Sequence, residues 1–142
     1  MEDPQGKAVF TTPGQLNSLG FQDAPGRYRL ITLRSNDQFN TTIYGYSDRL
    51  RGLHGSRYIL LMCPEDIAEA GLTHGQTVTL VTDVDDGQDR RLDGLTLTAY
   101  KLPRGTLAGY YPECNVLMPI GHHDQLSKTP ASKSIPVRIA PR

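Results

Sequence analysis

The sequence predicts a mainly β domain, a barrel or sandwich of five or six short strands with one or two short helices and long connecting loops. Three observations carry this expectation. Apolar residues recur at every second position in several short stretches, Gly and Pro punctuate the chain between them, and helical stretches of ten residues or more are scarce. So few helices would leave a parallel sheet uncovered on both faces, which disfavours βαβ winding. At 142 residues the chain has the length of one ordinary domain.

The first 26 residues carry Pro4, Pro13, Pro25 and four glycines, the punctuation of a linker, with only residues 7–11 able to form a short strand. The domain proper is therefore expected over 27–142. Residues 27–34, Arg-Tyr-Arg-Leu-Ile-Thr-Leu-Arg, are rich enough in β-branched and aromatic residues for a strand. A polar loop follows over 35–55, and loops of that length in a compact domain are usually functional or disordered. Phe39, Ile43, Tyr44, Tyr46, Leu50 and Leu53 would anchor it. Residues 58–62 form an apolar run suited to a strand buried on both faces. Residues 64–71 read as a short helix, with Pro64 at its first position, acids in the first turn and Gly71 as the stop. Val78 and Leu80 alternate with threonines in the next strand, 83–93 is an acidic turn region, and Leu95, Leu97 and Ala99 share one face of another strand. A Gly/Pro-rich segment over 103–119 precedes a last strand with Ile135, Val137 and Ile139 on one face.

Fifteen basic and fifteen acidic residues cancel, so the whole-chain charge gives no reason to expect nucleic acid or an anionic membrane as partner. The distribution says more. Arginines dominate 27–57, acids dominate 65–93, and basic residues return over 101–142. Two basic stretches brought together by the fold would attract an anionic ligand. Cys63 and Cys114 lie far apart and outside any CxxC pair, so neither a disulfide framework nor a zinc site is indicated, and a reduced, intracellular setting fits. No apolar run reaches the length of a membrane span, and Met-Glu-Asp-Pro is too acidic for a signal peptide. A soluble, cytoplasmic protein is expected.

GxGxxG, GxxxxGK[ST], GxSxG and HExxH are all missing, and no self-contained catalytic site is visible. Three segments have ligand-binding chemistry. Residues 33–42 place Arg34, three amides (Asn36, Gln38, Asn40) and three hydroxyls (Ser35, Thr41, Thr42) on a loop leaving a strand; the bland alternative is a solvated Asx-rich turn. Arg34 with Arg49 or Arg51 would suit phosphate. Asn115 follows a proline turn in the second segment. The third is 121–130, where adjacent His122 and His123 point different ways on regular backbone and make poor joint metal ligands. No catalytic residue and no metal ligand is assigned.

Taken together, residues 30–42 (Leu-Ile-Thr-Leu-Arg-Ser-Asn-Asp-Gln-Phe-Asn-Thr-Thr), 65–78 (Glu-Asp-Ile-Ala-Glu-Ala-Gly-Leu-Thr-His-Gly-Gln-Thr-Val), Tyr-Pro-Glu-Cys-Asn-Val-Leu over 111–117 and Lys-Thr-Pro over 128–130 resemble the C-terminal domain of molybdopterin oxidoreductases. The alpha subunit of the formate-dehydrogenase-like branch is the nearest likeness. The resemblance spans about residues 27–140 and implies a six-stranded double-psi β-barrel closing over bis-molybdopterin guanine dinucleotide. It places Arg34, Ser35, Asn36, Asp37, Gln38, Asn40 and Thr41 against the pterin and pyrophosphate, Asn115 on the cofactor, and Ser127, Lys128, Thr129 and Lys133 in the tail that approaches it. Ordinary formate dehydrogenases have Thr-Gly-Arg followed by histidines where this chain has Leu33-Arg34-Ser35-Asn36, so the resemblance carries the cofactor and not formate as substrate. It puts the molybdenum ligand and iron–sulfur cysteines in other domains, which implies a domain that alone is inactive, monomeric and holds the cofactor weakly or not at all, with the remaining domains of the parent as partners.

Two other functions fit the same fold expectation. Double-psi barrels also serve as non-catalytic adaptors for protein or peptide, and an adaptor should expose an apolar groove with aromatic anchors. A complete small barrel enzyme such as a decarboxylase would need a nucleophile or activation site that the sequence does not display.

Overall fold

The structure, a computed structural model, describes Gly6, Phe10, Thr12 and residues 21–140. The short strand expected over 7–11 falls largely outside these. In chain order the elements are β1 (Tyr28–Leu33), the two-residue strands β2 (Gln38–Phe39) and β3 (Thr42–Ile43), β4 (Ile59–Met62), helix α1 (Pro64–Glu69), β5 (Thr77–Thr82), β6 (Arg91–Ala99), β7 (Thr106–Tyr110), a 3₁₀ turn (Glu113–Leu117) and β8 (Ile135–Ala140).

Six of these strands close a barrel in the order β1–β7–β4–β6–β5–β8, which is the mainly β, six-stranded architecture expected. Two pairs are parallel, β1 with β7 and β4 with β6, and the other four are antiparallel. These pairings make the barrel strands alternate in direction along the chain. Every second connection therefore emerges at the same end, namely 34–58, 83–90 and 111–134.

Leu30, Leu60, Met62, Val78, Leu80, Leu95, Leu97, Leu107, Ile135 and Val137 fill the main core. A second cluster, Ile59, Leu61, Ala108 and Tyr110, lies on the other face of β4 and β7, with Leu33 and Leu53 packed over it. This explains why all four residues of β4 are buried: successive side chains enter different clusters, and both are covered.

Helix α1 begins as its sequence suggests. Pro64 occupies the first turn, Cys63 Sγ accepts from the Asp66 backbone N–H at 3.4 Å, and Gly71 lies beyond the end with φ 66°, where a side chain would be strained. Three expectations needed correction. Of the residues expected to anchor the loop over 35–55, Phe39, Tyr44, Tyr46 and Leu50 are exposed, and Leu53 packs against the second cluster. The Gly/Pro-rich segment over 103–119 contains β7, which has small residues because it is buried on both faces between β1 and β4 rather than alternating toward solvent. β6 begins at Arg91, inside the expected turn region, and Ala99 at its far end is exposed while Leu95 and Leu97 are buried.

Three partly or fully buried carboxylates are held ionised. Burial pushes Asp66 up, but the Gly105 backbone N–H at 2.7 Å and the Arg104 guanidinium outweigh it and hold the carboxyl below its usual range. Burial likewise opposes ionisation of Asp83 and Asp48, and Arg27 with Arg138 at the first, and Arg51 with Tyr110 at the second, prevail. Carboxyls whose folded pKa is depressed contribute stability above the unfolded value of about 4, and that contribution is lost as pH falls through the folded values. Stability measured by urea melts should thus be level from neutrality to about pH 5 and decline below about pH 4. Asp66→Asn should flatten the acid limb.

Candidate functional site

The end of β1, the start of the 3₁₀ turn and the approach to β8 converge on a cavity of about 790 Å³, within the range of ligand sites. Thr32, Leu33 and Arg34 line one side, Tyr111 and Asn115 a second, Thr129, Pro130, Ser132 and Lys133 a third, and Arg51 closes it. Backbone bonds fix these walls. Tyr111 N–H donates to the Leu33 carbonyl at 2.8 Å and Thr32 N–H to the Ser132 carbonyl at 3.0 Å. Lys133 Nζ donates to the Thr32 carbonyl, and Arg51 Nη1 to the Arg34 carbonyl at 3.1 Å.

The cavity is cationic. Arg34, Arg51 and Lys133 face it and no lining residue is acidic. Burial, and then the neighbouring Arg34 charge, push the Lys133 ammonium below its usual value. The Arg34 charge thus adds to the cost that burial places on the Lys133 charge, a cost that an anion beside Lys133 would lower. Arg51, by contrast, is paired with Asp48. The Arg34 guanidinium and the Asn115 carboxamide have no side-chain hydrogen-bond partner among the described residues, and both are exposed to the cavity as donors.

Of the twelve residues singled out by the sequence, the cavity wall contains Arg34, Asn115, Thr129 and Lys133. Ser35 is buried and accepts from Arg57 Nη1 at 2.5 Å, and Gln38 Oε1 accepts from Arg57 Nη2 at 3.0 Å. Asn36 Nδ2 donates to Asp37 Oδ1 at 2.7 Å. Asn40 and Thr41 form the turn of the β2–β3 hairpin, where Asn40 has φ 52°, a left-handed conformation that asparagine tolerates better than most residues. Lys128 has φ 58°, and Ser127 Oγ donates within its own loop, which Asp124 organises. Thr32, Tyr111 and Ser132 were missed: strand-end and turn residues reach the cavity through register, which the sequence alone does not display. His122 Nε2 lies 2.7 Å from the Ser134 carbonyl, and among the described residues no group of three or more His, Cys, Asp or Glu is placed to hold a metal ion.

The closed six-stranded barrel thus carries at one end a cavity with cationic and amide groups in its wall. Over residues 28–136 the chain matches the Molydopterin dinucleotide binding domain, and it belongs to that family. It is 49% identical over 121 residues to proteins of Mycobacterium tuberculosis and Mycobacterium bovis, each named an uncharacterized oxidoreductase, a match covering 82% of this chain and 16% of theirs. It is 36% identical over 140 residues to protein YdeP of Escherichia coli, covering 97% of this chain and 18% of that protein. The chain thus spans about a sixth of the length of these relatives. Among the described residues no helix is long and apolar enough to cross a membrane.

Proposed function

We propose that this domain holds molybdopterin guanine dinucleotide, in its bis form with molybdenum, for a larger oxidoreductase of the formate-dehydrogenase-like type, and has no turnover by itself. The observation that carries the reading is the convergence of Arg34, Asn115 and Lys133 on one cavity without a carboxylate in its wall. The donor set fits the cofactor: a pyrophosphate calls for cations and N–H donors, and pterin and guanine edges call for amides and hydroxyls. When bound, the group supplies two-electron redox chemistry at the metal.

The chain's own part is to bind and orient. Arg34 and Lys133 neutralise the diphosphate, Asn115 offers a donor and an acceptor to a heterocycle edge, and Thr129 adds a hydroxyl. Asn36, Asp37, Asn40 and Thr41 on the hairpin, with Ser127 and Lys128 on the opposite loop, are the groups available to the nucleotide's outer parts. Ser35 and Gln38 act on the loop from behind. In this reading residues 1–26 link to a preceding domain, 27–142 form the cofactor unit, and the protein is cytoplasmic.

The remaining domains of that oxidoreductase are the proposed partners. Phe39, Tyr44, Tyr46 and Leu50 are exposed on the connection 34–58, and Val116, Ile120 and Leu126 on 111–134. All of them emerge at the barrel end that bears the cavity. Exposed apolar side chains on these loops suit burial against another protein surface, and the origin of the loops at the cavity-bearing end favours a neighbour that shares the ligand over a separate adaptor partner.

Removing a hydrogen bond to a charged group costs about 1.5–3 kcal/mol, so Arg34→Ala and Asn115→Ala should each lower cofactor affinity by about tenfold or more. Molybdenum content of the purified full-length variants is the measurement. Unchanged content in both would overturn the site assignment.

A further inference from the structure

The geometry points to Arg57 as the positioning residue of the cavity, the group that holds the Arg34 wall and the Asn115 wall at the spacing an anionic ligand needs. This rests on the binding site proposed above but concerns a residue that does not line it. Arg57 is 3% exposed and lies just before β4. Its Nε and Nη2 donate to the two carboxylate oxygens of Glu113 at 2.6 and 3.0 Å. Nη1 donates to Ser35 Oγ at 2.5 Å, and Nη2 also donates to Gln38 Oε1 at 3.0 Å and to the Tyr111 carbonyl. The guanidinium sits 5.0 Å from the centre of the Tyr110 ring.

The partners divide into two sets. Ser35 adjoins Arg34, and Gln38 belongs to the same loop. Tyr111 is itself in the cavity wall, and Glu113 opens the 3₁₀ turn that carries Asn115. One planar group with fixed donor directions therefore ties together two segments, one reached 22 residues before Arg57 at Ser35 and the other 56 residues after it at Glu113. Ionic pairs buried to this extent are costly to desolvate, and well-packed apolar residues would serve cohesion as well. What an apolar cluster would not supply is a fixed distance and angle between the two walls.

Charge and geometry make opposite predictions for Glu113→Gln. If Arg57 served the ligand by its charge, removing the carboxylate that neutralises it would tighten anion binding. If it serves by position, loosening the Arg57–Glu113 fork weakens binding although net positive charge has risen. The test is a ¹H–¹⁵N NMR titration of the 142-residue chain with inorganic pyrophosphate at millimolar concentrations, with the spectrum itself reporting that each variant is folded. For the wild-type chain, saturable shifts confined to Arg34, Asn115, Lys133 and their neighbours are expected. Glu113→Gln, Ser35→Ala and Arg57→Lys should each bind about fivefold more weakly or worse. Ser35→Ala, the mildest change, keeps the test open if Arg57→Lys does not fold. Asn115→Ala should cost less in the Glu113→Gln background than in the wild type, a coupling that loss of stability alone would not produce. Folded Glu113→Gln binding as well as wild type or better would overturn the positioning role. Wild-type chain without localised shifts would instead overturn the binding site on which it rests.

Discussion

Arg57→Ala is expected to destabilise the folded domain by about 3–5 kcal/mol, the cost of removing one partner from a buried ion pair. The loss is large because several acceptors depend on one side chain. The Glu113 carboxylate, with its side chain 13% exposed, would be left without its cation. Ser35 Oγ, Gln38 Oε1 and the Tyr111 carbonyl would each lose a donor, and a buried acceptor left unpaired is itself unfavourable. Domains of this size are stable by only about 5–15 kcal/mol, so the variant should sit near the edge of folding at ambient temperature. A urea melt should show the midpoint falling with an unchanged slope. The exposed pair Arg91–Asp93 is the contrast: both side chains are more than half in solvent, and Arg91→Ala should leave the midpoint where it was.

Gly109→Ala should cost about 1–3 kcal/mol, the range for overfilling a packed interior. A methyl at this position in β7 would meet Cys114 Sγ at 2.5 Å, while its next neighbours, the Ile59 carbonyl and Leu30 Cδ1, are at an ordinary 3.8 Å. Cys114 has no room to turn away, being fully buried in the main core with its thiol pushed up to about 12, so it packs as a neutral, apolar group. The clash is thus with one atom, which makes the prediction specific. Cys114→Ala alone should destabilise slightly by leaving a small void, yet in the Gly109→Ala background it should restore stability. Thermal melts of the four proteins test this, and a double variant weaker than Gly109→Ala would show that the strain lies elsewhere. Because Cys114 belongs to the 3₁₀ turn bearing Asn115, the close approach permitted by Gly109 also sets how near that turn lies to the barrel wall.

Much of the barrel was legible because its strands obey local rules. β5 alternates threonines with the buried Val78 and Leu80, β1 and β8 are rich in β-branched residues, and α1 carries its own start and stop signals. β7 was not legible. Its environment is set by strands far away in sequence, and a residue such as Gly109 is there for a contact with a turn rather than for β-propensity. The cavity shows the same division. The polar character of residues 33–42 and the basic tail are visible in composition, and the resemblance supplied Asn115. Arg57 carries no local signal: it is one arginine between a glycine-serine pair and an apolar run, and its partners lie 19, 22 and 54 to 56 residues away. Ser35 and Gln38 drew attention as polar groups suited to a ligand, but only the structure shows that a buried guanidinium engages them.

The most direct test of the account is chemical analysis of the full-length oxidoreductase proposed to contain this domain. Purified under conditions that preserve activity, it should contain molybdenum, and acid hydrolysis should release a guanine nucleotide in proportion to the metal. Active protein with neither molybdenum nor bound guanine nucleotide would contradict the assignment of this barrel as the holder of a molybdopterin dinucleotide.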